Sequence, residues 1–201
     1  MSSTYDLIIM GSGSTAFAAA LRATSYGARV LMFEKSVLGG TCINWGCIPS
    51  KALIHAALFK HEAHLGNKIG LNSEGDLHAI DAERLFRHRE AIVTRLRQER
   101  YLDVLGGMKG LELVKGTARF SDSHTVECDD RRYRSERVLI AVGGNPRIPD
   151  LPGLEKCSYY TSRSALLLKK LPASLVIIGG GVIAVELGQM YHRLGLPGDD
   201  S

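Results

Sequence analysis

The sequence predicts an α/β fold in three layers, followed by the opening of a second α/β unit, and three observations carry that expectation. Gly11-x-Gly13-x-x-Ala16 stands between a short apolar segment and an alanine-rich one. Gly179-x-Gly181-x-x-Ala184 repeats the arrangement. Between them, residues 111–142 break into short strand-like runs divided by turn formers. The 201 residues amount to one domain and a fraction of a second, enough to bury a core and too few for a large multidomain enzyme.

Each element follows in order. Residues 5–10 are an apolar strand, 11–16 a glycine turn, and 17–24 a helix of strong helix formers ended by Gly27. Residues 28–33 form a second strand closing on Glu34, and a loop with Gly39 and Gly40 leads to a long helix that starts near residues 46–50. A further helical stretch covers 81–105, with Leu85, Ile92, Leu96 and Leu105 on one stripe. Its arginines (84, 87, 89, 95, 97 and 100) are interleaved with Glu83, Glu90 and Glu99, which reads as a solvated helix laced by ion pairs rather than a phosphate-binding face. Strands at 111–114, 117–120, 125–128 and 137–142 make a small antiparallel meander feeding one last buried strand. A connector with Pro146, Pro149 and Pro152 then leads to a strand at 175–178, the second glycine turn and a helix from 185 to about 194. The tail 196–201 has no strand character. The implied organisation is a first domain at 1–150, a connector at 151–172 and the start of a second domain, cut short, at 173–201.

Composition excludes several classes. With 45% hydrophobic and 23% charged residues the chain is neither disordered nor collagen-like. The net charge of +4 is small and scattered, so nucleic acid is not an expected partner. No apolar run reaches the roughly 18 residues of a membrane span, and the N-terminus lacks the basic region of a signal peptide, so a cytoplasmic protein is expected. There, four cysteines are not expected to be structural staples, and a close pair among them points to redox or metal chemistry.

The first glycine pattern fits a dinucleotide fingerprint. Gly11 permits the tight turn, Gly13 lets backbone approach a pyrophosphate, and Ala16 lets the helix pack close to the strand. Glu34, at the end of the next strand, can accept hydrogen bonds from ribose hydroxyls. The second pattern, Gly179, Gly181 and Ala184, would hold the pyrophosphate of a second dinucleotide in the same way. Asp199 is rejected as its ribose acid, because Pro197 and Gly198 leave no room for an intervening strand. Cys42 and Cys47, five positions apart beside flexible glycines and at a helix start, can close a small disulfide ring, and Lys51 and the positive helix end favour thiolate chemistry there. Zinc would need two further ligands close by, and His55, His61 and His64 read as a solvated helix side, so no structural metal is expected. Cys128 and Cys157 read as ordinary residues.

The string Gly39-Gly40-Thr41-Cys42-Ile43-Asn44-Trp45-Gly46-Cys47-Ile48-Pro49-Ser50-Lys51 makes the resemblance specific. The sequence resembles the flavin-dependent pyridine nucleotide-disulfide oxidoreductases over residues 4–195. That resemblance implies an FAD-binding domain with an antiparallel meander, then the start of an NAD(P)-binding unit. It implies Cys47 as the thiol lying against FAD, Cys42 as the interchange thiol facing substrate, and Lys51 near the flavin and paired with Glu186. Thr41, Gly116 and Ala118 fall where the family touches FAD. Residues 141–143, ending in Gly143, fall on its Ala-Thr-Gly segment, with Val142 replacing the Thr. Residues 12–20, 101–107, 116–120 and 159–162 look most like the branch that reduces Hg(II), and Val182 stands where glutathione reductases commonly carry a tyrosine. The implied chemistry passes electrons from NAD(P)H through FAD to Cys42 and Cys47 and on to Hg(II), bound as substrate at those thiols, in a homodimeric parent. Dihydrolipoyl dehydrogenase or another disulfide reductase is the alternative acceptor chemistry. A flavin-binding fragment without activity is the alternative of another class, and this chain alone is expected to be inactive.

Overall fold

Alternation of apolar side chains along two short strands organises the first half of the chain. In the computed structural model, which describes residues 3–71 and 80–196, the elements are β1 (Ser3–Tyr5), β2 (Leu7–Met10), α1 (Ser14–Ser25), β3 (Val30–Glu34), α2 (Gly40–Trp45), α3 (Cys47–Lys68) and α4 (Ala82–Arg97). A π-helical turn (Gln98–Leu102), α5 (Asp103–Gly107), β4 (Leu111–Lys115), β5 (Arg119–Phe120), β6 (Thr125–Cys128), β7 (Arg131–Ser135) and β8 (Val138–Ile140) follow. The described chain ends with α6 (Ser162–Ala165) and α7 (Val182–Arg193).

These elements form two compact units, Met1–Asn44 with Thr94–Asn145, and Trp45–Val93 with Pro146–Ser201. In the first, β2, β3, β4 and β8 make a parallel sheet ordered β4-β3-β2-β8. Period-two patterning sends the residues of β2 and β3 to opposite faces. Ile9, Val30 and Met32 pack on Ala16, Phe17 and Ala20 of α1, with Tyr101, Val104 and Leu105 beside them. Ile8, Met10, Leu31 and Phe33 pack instead on Val126, Cys128 and Tyr133, which belong to a second sheet ordered β1-β7-β6-β5. Helices, parallel sheet and meander are the three layers. Strand order reverses at β2, flanked by β3 and β8, and the crevice outside its carboxyl end is where open α/β sheets take ligands.

The second unit is helical. Leu53 and Ala57 of α3, Phe86 of α4, Leu166, and Leu187, Met190 and Tyr191 of α7 share one core.

The structure corrects several expectations. Residues 111–115 are not part of the meander, because β4 pairs in parallel with β3. The meander gains β7 and is joined by β1 in parallel, neither of which apolar content marks. β8 is not a buried strand: it closes the edge of the sheet, and Ile140 is exposed. Residues 40–45, expected as loop, form α2. Residues 175–178 form no ladder among the described residues, and Val176 is 90% exposed. A strand is held by its neighbours' hydrogen bonds, and among the described residues none lies alongside. Arg89 leaves the solvated face of α4 and is buried. The helix expected from 185 starts at Val182, directly on the glycine turn. The tail with Asp199 lies outside the described residues.

Candidate functional site

The candidate site grows from the turn between β2 and α1. Gly11 has φ +107°, and a Cβ there would lie 2.2 Å from the Ala141 carbonyl oxygen, so only glycine lets β2 turn beside the chain leaving β8. No side chain caps α1 at Gly13, which leaves its first-turn amides available to an anion. Ala16 is buried in the helix–sheet contact.

Ser12, buried at 1% exposure, ties this turn to two other segments. Its hydroxyl donates to Glu34 Oε2 and accepts from the Gly39 amide at 3.2 Å. Glu34 Oε1 accepts from the Ser36 amide at 2.7 Å. The carboxylate at the end of β3 is thus oriented from both oxygens, with lone pairs remaining for further donors.

The thiol segment is anchored to the same turn. A Cβ on Gly40 would lie 2.7 Å from the Gly13 Cα, so α2 starts in contact with the dinucleotide-type turn. Asn44 reinforces that start, donating to the Leu38 and Gly40 carbonyls at 2.9 and 2.8 Å and accepting from Arg97 Nη1 at 3.0 Å. Thr41 and Cys42 are exposed on α2. Tyr101, in the π-helical turn, meets Phe17 edge-on at 4.4 Å and lies against Gly39. Burial, with Cys42 a smaller contribution, holds its phenol above the usual tyrosine range. Cys47, exposed, is the first residue of α3, which no side chain caps.

Among the other sequence candidates, Lys51 Nζ donates to Glu186 Oε1 at 2.6 Å, joining α3 to α7 as an ion pair with both side chains about half exposed. Gly116 and Ala118 are half-buried beside the meander. A Cβ on Gly116 would lie 2.3 Å from Cys128 Sγ, so this glycine already has a packing reason. Gly143 (φ +71°) lies exposed past β8. Gly179 (φ +115°) and Gly181 lead into α7, where no side chain caps the helix, Cβ atoms at either glycine would meet open space, and Ala184 is half-buried. Val182 is exposed. His55 lies edge-on to Phe59, and among the described residues no group of three or more metal-binding side chains forms.

Sequence reasoning did not single out Ser12, Asn44, Arg97 or Tyr101 as site-forming residues. Ser12 reaches Glu34 across 22 positions, Arg97 reaches Asn44 across 53 and Tyr101 reaches Phe17 across 84, spans that no local pattern announces, although the fixed offset of Ser12 inside the glycine turn could have flagged it.

The glycine turn, the uncapped helix and the oriented carboxylate fit a dinucleotide diphosphate and its ribose. The family model for the pyridine nucleotide-disulphide oxidoreductases matches residues 5–197. Mercuric reductases from Lysinibacillus sphaericus and Staphylococcus aureus are 42% and 41% identical over 191 residues, each match covering 95% of this chain and 34% of the relative. The chain therefore spans about a third of the length of these curated relatives. The HOCl-induced flavoprotein disulfide reductase RclA from Escherichia coli, in its Cu(II) complex, superposes with a TM-score of 0.81 at 29% identity, covering 98% of this chain and 41% of that one.

Proposed function

Because this chain belongs to the pyridine nucleotide-disulphide oxidoreductase family, we propose that it supplies the FAD-binding part and the redox-active thiol pair of an NAD(P)H-dependent enzyme whose acceptor is Hg(II). The observation that carries the reading is the placement of α2. It starts on Gly40, against Gly13 of the dinucleotide-type turn, and bears the exposed Cys42 two residues later.

In this reading residues 1–150 hold FAD, 151–172 connect, and 173–201 open the NAD(P)-binding domain. FAD, when bound, supplies two-electron transfer between a nicotinamide and a disulfide. The α1 amides beside Gly11 and Gly13 would hold its diphosphate, and Glu34, oriented by Ser12 and the Ser36 amide, would accept from ribose hydroxyls. By the family resemblance Thr41, Lys51, Gly116, Ala118 and Gly143 would also contact FAD, and Gly179, Gly181 and Ala184 would take the NAD(P)H diphosphate. Glu186 holds the Lys51 ammonium in place. Opening the Cys42–Cys47 disulfide takes up two electrons and two protons. Closing it releases both protons and passes both electrons to the acceptor, reducing Hg(II) to Hg(0). Thiolates are soft ligands and Hg(II) is a soft ion. The parent enzyme acts as a homodimer.

The mercuric reductases at about 40% identity support Hg(II) as the acceptor. Likeness to a flavoprotein disulfide reductase favours the second reading, an organic disulfide. An enzyme of the relatives' length carrying this chain is expected to oxidise NADPH in an Hg(II)-dependent manner. NADH formation driven by dihydrolipoamide, with no response to Hg(II), would sink the leading reading. The 201-residue chain alone is expected to bind FAD weakly and to give no steady NAD(P)H oxidation, in line with residues 175–178, which pair with no strand among the described residues. Stoichiometric flavin with sustained turnover in the purified chain would refute that.

A further inference from the structure

Trp45, the only tryptophan of the chain, stands between the two thiols, three residues after Cys42 and two before Cys47. The Arg163 guanidinium carbon lies over its ring, 3.5 Å from the centroid. Both side chains are half-buried, where a cation on an indole face is worth more than at a fully wet surface. Among the described residues Arg163 makes no ion pair, so the indole is the partner that fixes it.

The turn bearing Arg163 is braced from several sides. Thr161 and Ser164 form a capping box that closes α6, with the Ser164 amide donating to Thr161 Oγ1 and the Thr161 amide to Ser164 Oγ. The Tyr191 hydroxyl donates to the Ala165 carbonyl at 2.7 Å. Arg89 Nη1, at 5% residue exposure, donates to the Leu166 and Leu168 carbonyls at 2.6 and 3.0 Å. α4 and α7 thus hold the backbone of a short turn that by itself has too few hydrogen bonds to persist.

We propose that Arg163 is a positioning residue for the thiol pair: from its braced turn it clamps Trp45 and holds the segment between Cys42 and Cys47 in the conformation from which the disulfide ring closes. The inference rests on the redox-pair reading above. Ring closure joins the two Sγ atoms and releases two protons and two electrons, which oxidised dithiothreitol accepts in the test below. Holding the intervening segment lowers the entropy lost on closure, so loss of the clamp disfavours the disulfide.

The test equilibrates the full chain in dithiothreitol redox buffers, traps it by alkylation and measures the Cys42–Cys47 disulfide fraction by peptide mass. In the variants that keep the indole, Trp45 emission follows the same transition. Arg163→Ala is expected to lower the closure constant about three- to tenfold, with Arg163→Lys restoring part of it. Trp45→Leu is expected to give the same loss, and the double variant no more than either single. If Arg163→Ala fails to fold, Trp45→Leu and Arg163→Lys carry the test. A closure constant unchanged in Trp45→Leu or Arg163→Ala, with the parent chain closing normally, overturns the positioning role and leaves the redox pair standing. No closure in the parent chain at any ratio overturns both.

Discussion

At the scale of single residues, the packing around Gly116 leaves no room to spare. Gly116 faces Cys128 Sγ so closely that an added Cβ would sit 2.3 Å away, and Cys128 is itself buried in the core between the sheets. Gly116→Ala is expected to destabilise the chain by about 1–3 kcal/mol in urea unfolding, the usual cost of overpacking. Adding Cys128→Ala removes the clashing sulfur and should return most of that loss. No recovery in the double variant would mean that Gly116 is needed for another reason, such as close approach of a ligand. Burial, with Asp129 contributing less, pushes the Cys128 thiol up, so it should alkylate at pH 8 more slowly than the exposed Cys157. The turn at Gly11 and Gly13 and the place of Glu34 at a strand end were legible because the pattern is local, a few residues in a turn and one acid a strand later. Ser12 was not, since its meaning lies in a carboxylate 22 positions away and an amide 27 positions away.

At the scale of elements, α4 shows how periodicity misleads when a polar residue is buried. Its buried positions are Phe86, Arg89 and Val93, whereas the apolar stripe through Leu85, Ile92 and Leu96 is only half-buried. The outward arginines behave as expected: Arg87 and Arg95 pair with Glu83 and Glu99 one turn away, at 3.8 and 3.5 Å. Arg89 instead stacks its guanidinium near Phe86 and satisfies two carbonyls past α6. Arg89→Leu keeps the apolar stem but leaves those carbonyls bare. It should cost about 2–4 kcal/mol, measured by denaturant unfolding, against less than about 0.5 kcal/mol for Arg87→Leu on the exposed side. Equal costs at the two positions would show that the carbonyl contacts contribute nothing.

At the scale of the whole molecule, two buried phenols lie in different units. Burial pushes Tyr5 up to about 12, with its hydrogen bond to Glu112 adding to the shift, and burial pushes Tyr191 up to about 12 as well. A phenol whose folded pKa exceeds its unfolded value near 10 contributes stability that is whole below pH 10 and lost as pH rises towards 12. Stability should therefore fall between about pH 10 and 12, and the double variant Tyr5→Phe/Tyr191→Phe should flatten that fall. An unchanged alkaline slope would contradict it. What the sequence by itself determined were the features written in neighbouring residues: the α/β class, the two glycine turns, the carboxylate ending the second strand, and the close pair of cysteines. These are legible because turn geometry, helix propensity and short ring closure act over a few positions. Tertiary structure alone decided which strands pair: β4 joins β3 rather than the meander, and residues 175–178, apolar as they are, pair with no strand among the described residues. It alone gave Ser12, Arg89 and Arg163 their partners. Strand pairing and buried polar contacts are fixed by whichever groups the fold brings alongside, and that information is spread along the whole chain.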